Sequence, residues 1–163
     1  HNKKMKKITN FFVAFSLLIV IGNCSGYKPI FSPGNLQYKI SDYSITGEAQ
    51  IGNTIYNKLK RISESNDNNA RSIKININAQ KDKKATVKNS EGKILQYRII
   101  LNTSVSVTDY LTNDKILEHN FNFSTTFKVR DQYFDTIKAE NKSIENLIKL
   151  TYEGLIIKLT ENI

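Results

Sequence analysis

The chain from Leu95 to Val107 reads LQYRIILNTSVSV, with apolar side chains or threonine at every second position. Successive side chains of a β-strand point to opposite faces, so this pattern predicts a strand with one apolar face. The stretch from Leu117 to Val129 repeats the alternation after the turn Thr112-Asn113-Asp114-Lys115, and asparagine, serine and threonine fill most of its polar positions. The two stretches therefore predict a pair of long antiparallel strands with one apolar and one polar face.

Two further strands precede this pair. Ile73, Ile75 and Ile77 alternate strictly with polar residues, and the pattern continues weakly through Ala85 and Val87 to the turn Asn89-Ser90-Glu91-Gly92. An earlier alternation predicts a strand from Leu36 to Ile45, which Thr46-Gly47 ends.

Two segments have helical periodicity. In the first, the apolar residues are Ile51, Ile55, Leu59 and Ile62, with Lys58, Lys60 and Arg61 on the other side. The second, at the C-terminus, has the broad apolar stripe Ile144, Leu147, Ile148, Tyr152, Leu155, Ile156 and Leu159. Gly154 inside that helix costs about 1 kcal/mol relative to alanine, which indicates a close approach of helix to sheet.

The element order is β-α-β-β-β-α, and the predicted fold class is α+β. Because one face of the strands is apolar, both helices are expected on that face, giving a two-layer sandwich with a mainly antiparallel four-stranded sheet. The other face of the sheet is expected to be polar.

Residues 5–24 read MKKITNFFVAFSLLIVIGNC: a positive start, an apolar run, and then the single cysteine of the chain. The run from Phe11 to Ile21 falls short of the roughly 20 residues that span a bilayer, so we interpret it as a secretory signal peptide. Residues 1–4 precede Met5, the expected initiator.

A lone exported cysteine is a buried thiol, an intermolecular disulfide partner or a modified terminus, and the position of Cys24 directly after the run favours modification.

Composition restricts the class of protein. The 163 residues carry a formal net charge of +9; removal of Lys3, Lys4, Lys6 and Lys7 with residues 1–23 would leave +5. What remains is the size of one domain. A modest basic excess suits an anionic partner such as a lipid headgroup or a phosphorylated glycolipid. Nucleic acid is not expected, because the chain is predicted to be exported and has no basic run interleaved with aromatics.

No catalytic, metal-binding or cofactor-binding constellation is evident in the sequence. His119, the only histidine after the signal, shares the apolar parity of Phe121 and is expected in the core. The carboxylates Asp109, Asp114, Glu118, Asp131 and Asp135 lie near predicted turns or strand ends, where solvation accounts for them. The glycines form no phosphate-binding loop. The chain is therefore not expected to be an enzyme.

A group of cations surrounds the second strand and its following turn: Lys81, Lys83, Lys84, Lys88, Lys93 and Arg98. Clustered cations attract phosphates. Lysines also protect an exposed sheet edge from aggregation, and the sequence alone does not decide between these two roles.

The chain as a whole resembles the LptE family of outer-membrane lipoproteins. The resemblance rests on the box Ile21-Gly22-Asn23-Cys24, the start Cys24-Ser25-Gly26-Tyr27-Lys28-Pro29-Ile30-Phe31, the order of elements, and a meander that contains Leu95-Gln96-Tyr97-Arg98-Ile99. Asn23 departs from the small residue that usually precedes the cysteine. The resemblance implies residues 1–23 as lipoprotein signal peptide, residues 24–35 as a lipid-anchored lead, and residues 36–163 as a single LptE-like domain.

The resemblance also implies a function. Cys24 would carry a diacylglyceryl group and a fatty acyl chain such as palmitate, and would anchor the protein in the cell outer membrane. Proteins of this family plug the LptD β-barrel, assist its assembly and bind lipopolysaccharide. The residues implied for glycolipid binding are Lys84 and Lys88 at the turn between the second and third strands, with Lys81 and Lys83 beside them, and Lys138 or Lys142 near the start of the last helix. An alternative is a lipid-anchored chaperone or pilot for another envelope complex.

Overall fold

The computed structural model describes residues 38–63 and 70–162, which form a four-stranded sheet and two helices. The elements are β1 (Tyr38–Gly47), α1 (Ala49–Ser63), β2 (Arg71–Lys88), β3 (Ile94–Asp109), β4 (Lys115–Lys128) and α2 (Tyr133–Asn162). The predicted order β-α-β-β-β-α and the α+β class are confirmed. The predicted signal peptide and lipid-anchored lead, residues 1–35, lie outside the described residues.

The strands lie side by side in chain order, β1-β2-β3-β4. The β1–β2 pair is parallel, because the chain crosses back through α1 between them. The β2–β3 and β3–β4 pairs are antiparallel and are joined by short turns. The sheet is therefore mixed, with antiparallel pairing in the majority as predicted.

Gly47 makes the transition from β1 to α1 possible. Its φ of 75° is a left-handed conformation that other residues adopt at a cost, and a Cβ there would lie 2.1 Å from the carbonyl oxygen of Ala79. The next amide, Glu48 N–H, donates to the same oxygen at 2.7 Å. The strand thus ends at the glycine that the sequence indicated.

The core lies between the sheet and both helices. Odd-numbered positions of β2 and β3 face this layer, including Ile73, Ile75, Ile77, Leu101 and Val105. The buried helical side chains that cover them are Ile51, Ile55, Leu59, Leu147, Ile148, Leu155, Ile156 and Leu159. The prediction that both helices cover one face is confirmed. The even-numbered positions form the opposite face, which is polar.

The sheet has two distinct ends. At the proximal end, Tyr38 begins β1 beside Arg71, and the amide of Tyr110 in the β3–β4 turn donates to Ser72 O at 2.9 Å. At the distal end lie the β2–β3 turn and the end of β4, where Val129 N–H donates to Leu95 O at 2.9 Å. The first turn of α2 follows there, because only four residues separate β4 from α2.

Asp109 stabilises the proximal end through a carboxylate with three partners. Its Oδ2 accepts from Arg71 Nε at 2.8 Å, and its Oδ1 accepts from the amides of Leu111 at 2.9 Å and Thr112 at 3.1 Å. The hydrogen bond from Arg71 is the largest of the effects that lower the pKa of Asp109 to about 2. The folded state therefore prefers the ionised carboxylate more strongly than the unfolded chain does.

We expect Asp109→Asn to lower the melting temperature at pH 7. Because the folded pKa is depressed, the stabilisation is fully present above the unfolded pKa of about 4 and is lost as the pH falls towards 2. The difference between parent and variant should therefore shrink over that interval in thermal melts recorded from pH 7 to pH 2. Glu91→Gln, at an exposed position of the other turn, is the control. A difference that does not change with pH would contradict this account.

Candidate functional site

The distal half of β2 forms an open edge of the sheet. β1 pairs with β2 only as far as Gly47 opposite Ala79, whereas β3 pairs with β2 as far as Lys88. The distal hairpin, defined here as residues 80–102, therefore extends beyond β1 with one side of β2 unpaired within the described residues. The cationic segment noted in the sequence occupies this edge.

The lysines of the distal hairpin lie on different faces of the sheet. Lys81 and Lys83 pair with Leu101 and Ile99 and share the face that carries the helices. Lys84 lies on the polar face opposite Arg98, and its Nζ is 2.8 Å from the carboxylate of Asp82. The sequence interpretation had placed Lys84 at the turn, and this is wrong. Lys84 lies within β2, because the strand continues to Lys88 before the chain reverses.

Lys83 has a structural role. Its Nζ is 2.6 Å from Glu140 Oε2 of α2, and it lies 4.6 Å from the ring centroid of Tyr97 and 5.5 Å from that of Phe127. An ion pair beside two aromatic faces links the first turns of α2 to the distal hairpin. Its charge is therefore already partnered, which makes Lys83 a weaker ligand for an external anion than its sequence position indicated.

Lys138 and Lys142 do not join this group. Both are exposed on α2, and each lies two residues from Glu140. Two residues of an α-helix turn through about 200°, so both lysines lie on the side of α2 opposite the Glu140 contact with Lys83. The six candidate lysines thus occupy at least three surfaces rather than one cluster, and their predicted roles in glycolipid binding stay predictions.

A cleft of about 410 Å³ opens between the distal hairpin and the start of α2. It is lined by cations, aromatic and aliphatic side chains and two carboxylates, chiefly Lys83, Lys93, Arg130, Tyr97, Ile94, Tyr133, Asp131 and Glu140. Within the described residues, neither Lys93 nor Arg130 has an acidic partner within 4.0 Å. We call this feature the distal cleft.

Exposed apolar side chains occur at the same end of the domain. Tyr133 is 80% exposed and Phe134 is 71% exposed, and Val87 and Leu95 of the distal hairpin are 42% and 41% exposed. Unpaired cations beside exposed aromatic and aliphatic groups match the two halves of an anionic amphiphile, one phosphorylated and one apolar. The sequence analysis did not single out Arg130, Tyr133 or Phe134. The signal for Tyr133 and Phe134 was an adjacent pair of aromatics, separated by four residues from the end of β4.

The polar face of the sheet is built from side-chain amides and hydroxyls. Asn76 Nδ2 donates to Ser106 Oγ at 3.2 Å, and short hydrogen bonds join Ser104 to Asn120 and Asn122 to Asn102. A shallow concavity of about 510 Å³ on this face is lined by further serine, threonine and asparagine residues. These cross-strand pairs keep a water-facing surface ordered without apolar groups.

Other site types have little support in residues 38–63 and 70–162. No three or more His, Cys, Asp or Glu side chains of this region are grouped so that they could hold a metal ion. None of the helices there is long and apolar enough to cross a membrane. His119 is half-buried, and its ring packs edge-on against Phe121 with 4.6 Å between centroids.

Together these features define a small two-layer α+β domain with a cationic, partly apolar cleft at one end and a polar sheet face. The same fold occurs in bacterial lipoproteins. A Caulobacter crescentus CB15 protein described as a lipoprotein superposes with a TM-score of 0.51 at 12% identity, over 72% of this chain and 86% of that one. The uncharacterized lipoprotein B of Nitrosomonas europaea gives 0.51 at 13% identity, over 73% and 81%.

A third solved structure, rare lipoprotein B from Shewanella oneidensis, superposes with a TM-score of 0.44 at 9% identity, over 74% of this chain and 91% of that one. No protein-family model and no curated protein matches the sequence.

Proposed function

We propose that this protein is a non-enzymatic outer-membrane lipoprotein that binds lipopolysaccharide and acts as plug and assembly partner of an LptD-like β-barrel. The observation that carries the proposal is the distal cleft, which Lys93 and Arg130 line together with the exposed ring of Tyr133. Lipid A presents phosphates and acyl chains together, so its chemistry fits both kinds of side chain.

Two other features support the proposal. The lipoprotein signal ending at Cys24 would tether the domain at a membrane. The polar face of the sheet carries a ladder of asparagine and serine pairs. Such a face is better suited to contact the polar wall of a barrel lumen than to contact an apolar surface. Within this proposal the basic residues recognise phosphate groups, and the polar face contacts the barrel.

Charge reversal at the distal end tests glycolipid binding. We expect Lys93→Glu with Arg130→Glu to weaken binding of purified lipopolysaccharide on the order of tenfold or more at low salt, because two charge-assisted contacts are replaced by repulsion. Lys84→Glu with Lys88→Glu, the pair indicated by the sequence, is expected to have a smaller effect, because Asp82 already partners Lys84. Binding is measured by titration with the full chain.

The matched control is Lys60→Glu with Arg61→Glu, two exposed positions in the last turn of α1 with the same change of charge. If this control weakens binding as much as the Lys93 and Arg130 variant, net charge and not the distal cleft determines affinity. Dephosphorylated glycolipid provides a second arm, since its binding should be insensitive to the substitutions. Unchanged binding of intact glycolipid at low salt, where exposed charges act most strongly, would contradict the proposal.

A further inference from the structure

The β3–β4 turn exposes apolar side chains at the proximal end of the domain. Leu111 is 81% exposed and Tyr110 is 48% exposed, and both lie in the short connection between Asp109 and Lys115. Leu111 is the most exposed large apolar side chain of the described region. A single exposed leucine is common on a protein surface, but the turn that carries this one has an unusual pattern of hydrogen bonds.

Every backbone amide of this turn, from Tyr110 to Asp114, has an acceptor inside the domain. Tyr110 N–H donates to Ser72 O at 2.9 Å, and Asn113 N–H donates to Asp109 O at 3.0 Å. The Asp109 carboxylate accepts from Leu111 and Thr112, and the Thr112 hydroxyl accepts from the amide of Asp114 at 3.3 Å. Removing an unpaired amide from water is costly, and this turn avoids that cost.

The charges at the base of the turn are also paired. Arg71 contacts Asp109 at 2.8 Å, and Lys115 contacts Glu118 at 2.6 Å. These two ion pairs can therefore approach a lipid surface without losing a partner, whereas the Asp114 carboxylate is bonded only to the Thr112 hydroxyl within the described residues. Asn113 and the Asp114 carboxylate stay polar, which limits the depth that the tip can reach to an interface.

The turn lies at the end of the domain where β1 begins. Tyr38 is opposite Arg71, and the neighbouring Ser72 accepts the hydrogen bond from Tyr110. Tyr38 follows Cys24 by only 14 positions (38 − 24), a chain length that spans at most about 50 Å when fully extended. A lipid on Cys24 would therefore be joined to the domain at this end, through the chain that enters β1 at Tyr38.

We propose that the β3–β4 turn docks into the headgroup region of a phospholipid bilayer, with Leu111 at the acyl boundary and Tyr110 at the level of the headgroups. Leucine and tyrosine are side chains that this interface accommodates, and the internally bonded turn presents them without exposing unpaired amides. The contact gives the tethered domain a fixed orientation, with the distal cleft pointing away from that surface. This inference goes beyond the proposed function and requires neither a barrel nor lipopolysaccharide.

The chain contains no tryptophan, so one introduced tryptophan reports on its own surroundings. We compare full-length Leu111→Trp with full-length Ser90→Trp, which places the same residue in the exposed turn at the opposite end of the domain. Both proteins are reconstituted into phosphatidylethanolamine and phosphatidylglycerol vesicles that contain no lipopolysaccharide. Lipids brominated close to the headgroup quench a tryptophan that lies at the interface.

We expect Leu111→Trp to shift its emission to shorter wavelength and lose most of its intensity to brominated lipid, while Ser90→Trp changes little. Equal quenching at both positions, or none at position 111, would overturn the proposal. A blue shift of Leu111→Trp that grows with protein concentration and shows no lipid quenching would also overturn it, in favour of self-association. Because the vesicles contain neither barrel nor glycolipid, failure here is distinct from failure of the proposed function.

Discussion

Replacing Gly154 with valine is expected to lower the free energy of unfolding by about 2 kcal/mol. A Cβ at this position would lie 3.1 Å from Cε1 and 3.3 Å from Cδ1 of Phe121, so even one added carbon is tight. Phe121 is buried under α2 and its ring also contacts His119, so it has little room to move. The gain in helix propensity from replacing glycine recovers less than about 1 kcal/mol of this strain.

Chemical denaturation followed by circular dichroism measures this effect. Glu153→Val is the matched control, because it creates the same residue one position earlier on the exposed side of α2. The control should cost no more than about 0.5–1 kcal/mol. The double variant Gly154→Val with Phe121→Leu should be less destabilised than the sum of the two single variants. Additive effects, or equal losses at positions 153 and 154, would contradict a close contact between helix and sheet.

Replacing Cys24 with alanine is expected to abolish lipid attachment. The diacylglyceryl group is expected on this thiol, and no other cysteine is present to replace it. Each buried methylene contributes about 0.8 kcal/mol to membrane binding, so loss of all the acyl chains changes anchoring completely. The N-terminal peptide of the parent should begin at Cys24 and carry the added lipid mass. The variant should show neither that mass nor cleavage before residue 24.

Mass spectrometry of the purified N-terminal peptides distinguishes the outcomes. Ser25→Ala is the control, since it changes the adjacent residue and leaves the thiol in place. The control should retain the lipid mass. An identical N-terminus in parent and Cys24→Ala would mean that the thiol is not the modified group, and that the segment acts as an ordinary signal peptide.

The strands and the helix-covered face were predictable from the sequence because one face of the sheet is buried. A shift of one residue would turn every apolar side chain of β3 to the wrong side, so alternation fixes the orientation of the whole meander. Gly154 and the Thr46-Gly47 break were also predictable, because both glycines occupy positions where a side chain would be crowded. In each case a glycine stands where a Cβ would collide with Phe121 or with the backbone of Ala79.

Other features depend on long-range geometry that the sequence does not encode locally. The apolar stripe read from the sequence began at Ile144, whereas α2 begins at Tyr133, because Glu140 and Asn141 interrupt the stripe. In the first turn the Thr136 hydroxyl accepts from the amide of Arg130 at 2.9 Å. The partnering of Lys83 by Glu140 joins residues 57 positions apart. Solvation alone was assigned to Asp109, yet its main partner is Arg71, 38 positions away.

The central claim is that a lipid-anchored protein associates with an outer-membrane barrel. Its most direct test is to purify the tagged full-length protein from detergent-solubilised envelopes and identify both its partners and its own N-terminus by mass spectrometry. A large β-barrel protein is expected to co-purify, and Cys24 is expected to be acylated. An unmodified Cys24 with no barrel would contradict the claim, and an acylated Cys24 with a different envelope complex would instead favour a role as chaperone or pilot.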